Sequence, residues 1–370
     1  MRLIHLADLH LGWQPPWSDC YNQAYSNWRN LALSRLADSI QANLNEHPEI
    51  LLIAGDLFHS HEPEAKLVEQ VLKDLRRLRN LGLTIVTLPG GYDSLAYTNS
   101  VYRQQESNWP GLLLNFTAWE EPQPLIIKGQ RVYFTGLAFD QGDPQSYIWQ
   151  RNLPPRHNDA LHIALLHGNQ ADDSSKPGLR LMLNDLQQTN YDYIALGSSH
   201  RSYHAINERG QLMADPGLYE DLGTSEKGSG YLLVELERQR PAKFKQITAP
   251  YSCENHTLML NSNSSLLELH KYLHDKADPR GSLILQLTGE IDFRLSIQNL
   301  LTEYSDRYAF LYLDTSKLSY SSKFLGRLKR IGGIHAAIAQ TFSATSETHI
   351  NYAYLENCLL ALDRVKGGGN

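Results

Sequence analysis

Ile50-Leu-Leu-Ile-Ala54 is an unbroken apolar run that ends in Gly55-Asp-Leu-Phe-His59, and it constrains the chain more than any other stretch. A strand apolar at every residue is buried on both faces, as in a parallel sheet covered by helices, whereas a half-exposed strand alternates. The flanking sequence predicts those helices. Apolar residues recur at helical spacing in 22–45 (Trp28, Leu31, Leu33, Leu36, Ile40, Leu44) and in 62–80 (Leu67, Val71, Leu72, Leu75, Leu78). Residues 2–12 read as a preceding strand and 84–88 as a following one, giving βαβαβ. Ligands in such sheets collect beyond the carboxyl ends of the strands, where Asp8, His10, Asp56, His59 and Asp93 fall. Residues i and i+2 of an extended strand share a face, so Asp8 and His10 are expected to point at one ion. A mixed oxygen and nitrogen set suits manganese, zinc or iron.

Further strands are expected at 131–136, at 161–166 running into His167-Gly168, and at 191–196 running into Gly197-Ser-Ser-His200. Shorter ones at 211–215, 230–236 and 244–249 complete a second sheet. At 370 residues the chain is too long for one typical core. The expected fold is α/β, a β-sandwich flanked by helices over 1–250, a smaller α/β unit over 261–315, C-terminal helical pieces over 316–365 broken at Gly332-Gly333, and a disordered tail at 366–370. No apolar run approaches the roughly 18 residues that span a bilayer, so no membrane association is expected. Three scattered cysteines, Cys20, Cys253 and Cys358, suit a reducing compartment, and the expected location is the cytoplasm. The formal net charge of -6 makes the surface no general polyanion trap, so nucleic-acid binding would rest on a local patch, a metal or a partner.

Five strand ends thus carry Asp8/His10, Asp56, Asp93, His167 and His200 in order. That succession resembles the calcineurin-like metallophosphoesterases, whose pattern is Asp-x-His, Gly-Asp, Gly-Asn-His-Asp/Glu, a lone His and Gly-His-x-His. Asp8-Leu-His-Leu-Gly12, Gly55-Asp-Leu-Phe-His59, His167-Gly168, Leu196-Gly-Ser-Ser-His-Arg201 and Pro216-Gly217 ahead of Lys227-Gly228 narrow the resemblance to the SbcD and YhaO type of DNA double-strand-break nuclease subunit. It covers residues 1 to about 250. The 261–315 unit matches only the element order of that family's capping domain. Such enzymes hold two divalent ions, typically manganese, roughly 3.5–4 Å apart across a bridging carboxylate, which clamp phosphoryl oxygens and activate water.

The resemblance assigns Asp8, His10, Asp56 and His200 to one ion, all intact. The second ion would share Asp56 and take His167, but Gly91 stands where the family has Asn and Ser198 where it has His. Tyr92 replaces the family's acid-catalytic His, leaving Asp93 without the side chain it normally orients. A phenol with a pKa near 10 donates a hydrogen bond but cannot be a cation at neutrality. The losses fall on one side, which leads to the expectation of one bound ion rather than two and a degenerate site. Tyr92, Asp93 and His59 are the remaining candidates for catalysis or phosphate contact. Arg201 and the amphipathic run with Lys323, Arg327, Lys329 and Arg330 are candidates for DNA or partner contact. The 20 tyrosines show no interleaved pattern of a base-stacking surface. The leading expectation is an SbcD-like subunit acting on DNA ends with an SbcC-type coiled-coil ATPase of the SMC-like class, as a homodimer. The alternatives are an active manganese-dependent phosphodiesterase with a modified site, and a metal-independent protein-interaction module.

Overall fold

The computed structural model describes residues 1–13, 30–42, 48–115, 124–138, 159–170, 179–181, 189–220, 230–238, 240–249, 253–261, 266–344 and 350–367, with single residues 122, 157, 186 and 264. The chain divides into two compact units, Met1–Ser252 and Cys253–Asn370.

The first unit begins with β1 (Arg2–Leu6), α1 (Ala32–Ala42), β2 (Ile50–Ala54), α2 (Ala65–Asn80) and β3 (Thr84–Leu88). The three strands pair in parallel, Leu3 opposite Ile50 and Ile50 opposite Thr84, so the βαβαβ expectation holds. All of β2 is buried, as its unbroken apolar run requires. Helix α1 turns Leu33, Leu36 and Ile40 inward and α2 turns Leu67, Val71, Leu75 and Leu78 inward. The expected helical stretch at 22–29 lies outside the described residues. A short α3 (Val101–Gln105) and β4 (Leu112–Leu113) follow. Then come β5 (Pro124–Ile127), β6 (Gln130–Leu137), β7 (Leu161–Gln170), β8 (Leu179–Leu181), β9 (Tyr193–Gly197), β10 (Tyr203–Ile206), β11 (Leu212–Asp215), β12 (Tyr231–Glu235) and β13 (Lys243–Ile247).

These strands form two sheets, β13-β12-β1-β2-β3-β4 and β10-β11-β9-β7-β6-β5, the second with β8 beside β7. The period of two in β7 and β9 explains how they share a core. Ile163, Leu165, Tyr193 and Ala195 join the cluster that also holds β1, β2 and β3, while Ala164, Leu166, Ile194 and Leu196 face a second cluster with Leu179, Leu186 and Met213. Strands β7 and β9 are therefore buried on both faces, while the edge strands β5 and β10 carry exposed residues. Strand β8 has only three residues, and β10, unlike the fully buried β11 of equal length, has no buried residue, so neither stands out in the sequence.

In the second unit, β14 (Cys253–Leu260), β15 (Asp278–Ile291) and β16 (Tyr308–Tyr320) run parallel, with α4 (Leu266–Asp275) and α5 (Ile297–Tyr304) between them. Then α6 (Ser322–Ile331), α7 (Gly333–Ala344), β17 (Ile350–Asn351) and α8 (Tyr352–Gly367) complete it. Two sequence expectations change here. Strand β16 reaches Tyr320, and β17 pairs antiparallel with it, so 316–365 is not all helical. Helix α8 continues to Gly367, and 368–370 lie outside the described residues. Helix α6 starts on a Ser321 cap and stops at Gly332, whose φ of 78° ends the helical ladder. No described helix is long and apolar enough to cross a membrane.

Candidate metal centre

Strand β1 ends at Leu6, so Asp8 and His10 are not partners on one extended face as the sequence predicts. The loop after β1 runs beside the loop after β2 and is bonded to it. Asp8 N donates to Gly55 O (3.2 Å), His10 N to Asp56 O (2.9 Å), Leu11 N to Leu57 O (2.9 Å) and His59 N to Leu11 O (2.9 Å). Asp8, His10 and Asp56 have φ of 52°, 47° and 50°, and Ser198 and His200 have 96° and 58°. Left-handed backbone costs a non-glycine residue of order 1–3 kcal/mol, tolerated least badly by Asp, Asn and His, and such strain gathers at functional sites. Five of the six such residues among those described lie in this centre; the sixth, Lys128, turns the β5–β6 hairpin with Gly129.

Glycines let these loops close on one another. A Cβ on Gly55 would lie 2.1 Å from His167 Nδ1, one on Gly90 2.2 Å from Asp56 Oδ1, and one on Gly197 2.2 Å from Ala54 O. Two sets of ligand atoms result, Asp8/His10/His200 and Asp8/Asp56/His167, the atoms of each within 4.8 Å of one another. His10 Nε2 is 3.1 Å from His200 Nε2. Asp56 Oδ2 lies 3.2 Å from His167 Nε2 and 3.9 Å from His10 Nε2. His167 Nδ1 faces Ala54 O at 2.8 Å, so that nitrogen carries the proton and Nε2 turns to the carboxylates.

These donors fit a divalent cation. Asp8 Oδ1 is fully buried with no hydrogen-bond partner among the described residues, a costly arrangement unless the oxygen meets a cation. Asp8 Oδ2, by contrast, accepts from Ser198 N at 3.0 Å. Burial pushes the Asp8 carboxyl well above its usual range, with Asp215 and Asp56 adding to the rise and His167 opposing it. Burial would also pull His167 down, but the Asp56 carboxylate holds it up to about 10. Asp56 itself is driven low, because the His167 charge and hydrogen bond outweigh desolvation.

Asp93 is buried beneath the centre. It accepts from Gly90 N (2.6 Å), Phe58 N (3.1 Å) and Tyr102 OH (2.7 Å), and burial raises its pKa to about 6, with Asp56 contributing. It thus pins the loops after β2 and β3 together. Tyr92 donates its backbone N–H to Asp56 Oδ1 at 2.8 Å, and its ring stacks on His59, whose Nδ1 is 3.3 Å from His10 Nδ1. A Cβ on Gly91 would meet nothing within 4 Å. Two contributors escaped the sequence reading. Tyr102 holds Asp93, and Asp215, ending β11, takes the Ser199 hydroxyl (2.7 Å) and Gly217 N (2.8 Å), bracing the turn that carries His200. A carboxylate at a strand end before Pro216-Gly217 was a usable signal for Asp215; nothing local marks Tyr102. Arg201 is exposed beside His200. On α6, Lys323, Arg327, Lys329 and Arg330 are exposed over a buried Phe324, Leu325 and Leu328, with Arg327 3.7 Å from Asp292.

The calcineurin-like phosphoesterase pattern matches residues 1–202. The uncharacterized metallophosphoesterase YhaO of Bacillus subtilis is 26% identical over 248 residues, 64% of this chain and 57% of that protein. The DNA double-strand break repair protein Mre11 of Archaeoglobus fulgidus is 27% identical over 217 residues, 54% of this chain and 46% of that one. The SbcD component of the nuclease SbcCD from Staphylococcus saprophyticus is 22% identical over 272 residues, 65% and 67% of the two chains. The matches to YhaO and this Mre11 thus span only about half of those relatives. With strand-end aspartates and histidines gathered on one buried centre and the family pattern covering more than half its length, the chain belongs to the calcineurin-like phosphoesterases, a divalent-metal family, and is related at low identity to YhaO, Mre11 and SbcD.

Proposed function

We propose that the chain is an SbcD-like nuclease-family subunit with a degenerate centre, which holds one divalent ion, manganese by the family's habit, and recognises or processes DNA ends with an SMC-like ATPase. The observation that carries this reading is the asymmetry of the centre. Asp8, His10 and His200 converge, with Asp56 between His10 and His167. On the other side Gly91 has no side chain, and Ser198 contributes its backbone amide to Asp8. A bound divalent ion supplies Lewis acidity toward a phosphoryl oxygen. The chain's own groups orient that chemistry: Tyr92 N and His167 fix the Asp56 carboxylate, and Asp93 fixes the loop carrying Tyr92. The Tyr92 phenol offers a neutral hydrogen bond where the family pattern implies an imidazole. In this reading the protein works in the cytoplasm as a homodimer, and the second unit serves as the capping domain, with Arg201 and the α6 cations contacting DNA or partner.

A second reading, an active phosphodiesterase, draws on the second ligand set, because Asp8, Asp56 and His167 still offer three donors. Metal content separates the two. The first reading expects one manganese per chain, lost in Asp8→Ala and His200→Ala, and little cleavage of linear or hairpin DNA with or without the ATPase. Two ions per chain, together with DNA cleavage abolished by Asp56→Ala, would establish the second.

A further inference from the structure

We infer that the Tyr92 ring, backed by His59, is a stacking platform for an unpaired nucleobase at the mouth of the metal centre. The inference rests on the proposed reading of the site as one that takes nucleic acid, and it names the form taken: a single strand or frayed end.

Tyr92 is 51% exposed, whereas Asp8, His10, Asp56 and Asp93 beside it are at most 3% exposed. The exposed ring is held in place. One side stacks on His59 (centroids 4.6 Å apart, planes at 24°), and the His10 ring meets it edge to face (4.9 Å, 88°). His59 is in turn braced edge-on by the buried Trp13 (6.5 Å, 85°). The Tyr92 amide on Asp56 Oδ1 ties this stack to the centre, and the Cβ position of the neighbouring Gly91 meets nothing within 4 Å.

The chemistry selects the occupant. A half-exposed aromatic ring held by its neighbours gains most from a flat π partner, and every nucleobase offers one regardless of sequence. A ligand that also carries phosphate satisfies the cation centre beside the ring. With a net charge of -6, general attraction for a polyanion is weak, so a stacking contact supplies affinity that charge does not. In an intact duplex every interior base is already stacked on both faces and the terminal pair is held in the helix, which is why the platform favours unpaired ends. Trp13, His59 and Tyr92 are far apart in sequence, so no interleaved aromatic pattern announces the platform.

The test is a short manganese-loaded binding series on the full chain, using a single-stranded oligodeoxynucleotide that carries 2-aminopurine near its end. Wild type and Tyr92→Phe should quench the fluorophore and bind alike. Tyr92→Ala should lose the quenching and bind about tenfold more weakly, with unchanged manganese content, and a blunt duplex of the same sequence should bind more weakly than the single strand. Undiminished binding and quenching by Tyr92→Ala would overturn the platform while leaving the nucleic-acid reading intact. No binding of any oligonucleotide by manganese-loaded wild type would overturn that reading and the platform with it. Quenching as strong with free 2-aminopurine deoxynucleotide as with the oligomer would overturn the single-strand assignment.

Discussion

The residues that matter most to the centre hold backbone conformations their side chains resist. Asp8, His10, Asp56, Ser198 and His200 are all left-handed, and the glycines between them are fixed by contact as much as by φ. Gly55→Ala places a methyl on the His167 ring at a φ of 88°, so it should destabilise the protein by at least ~2 kcal/mol in urea unfolding and weaken manganese binding, by combined overpacking and strain. Gly91→Asn meets open space and should change stability by less than about 0.5 kcal/mol. The pair of outcomes separates the glycines that shape the centre from one whose Cβ position is open. Placing an imidazole at 198 is a different matter. Ser198→His would install a bulkier side chain at a φ of 96°, so the triple change Gly91→Asn, Tyr92→His, Ser198→His should raise DNA cleavage only at a measurable loss of thermal stability. The ligand types were legible because carboxylates and imidazoles follow apolar runs. The shape of the first loop was not, because the rule that i and i+2 share a face assumes extended backbone and sequence carries no mark of a left-handed turn at Asp or His.

Among the elements, β1 and β9 are joined by a buried polar pair, His5 Nδ1 and Tyr193 OH at 2.7 Å. Burial pulls the His5 pKa down from 6.5 to about 3, a backbone hydrogen bond offsetting part of the fall. Protonation therefore favours the unfolded chain. The stability associated with neutral His5 is complete above about pH 6.5 and is lost as the pH falls toward 3, by up to ~1.4 kcal/mol per unit. The stability advantage of wild type over His5→Gln should accordingly shrink between pH 7 and pH 5 in urea titrations; a constant gap would assign the pH dependence to other groups. Element type was readable wherever period and length agreed, as in β2, α2 and β3. It was unreadable in the three residues of β8 and in β10, whose faces are half-exposed or exposed throughout, and where strand polarity masks the period, as in the last residues of β16, Ser316 to Tyr320.

At the scale of the molecule, the two units hold separate cores. The cluster built on Leu269, Leu285, Leu300, Leu313 and Leu355 contains only residues of the second unit, and that around Leu3, Ile53, Val71 and Leu165 only residues of the first. A fragment of residues 1–252 should therefore fold and bind manganese as the whole chain does, and calorimetry of the whole chain should resolve two transitions; a single transition, or an unfolded fragment, would show the units to be interdependent. The change of pattern near residue 250 was visible in the sequence, whereas the strand Cys253–Leu260 that opens the second unit was not, because it sits at the sheet edge with Glu254, Asn255 and Thr257 exposed.

Strand β1 lies between β2 and β12, its Leu3 opposite both Ile50 and Val234, and Leu236 N closes on Met1 O. One neighbour is synthesised early, the other some 180 residues later. During translation the strand that leads to Asp8 and His10 thus waits with one edge unpaired until 231–235 leave the ribosome, and loop closure over such a separation is slow. His167 and His200 also emerge before that closing strand, so the ion centre is a late product of synthesis. Nascent chains arrested before residue 231 should fail to retain manganese, while chains released beyond about 250 should acquire it.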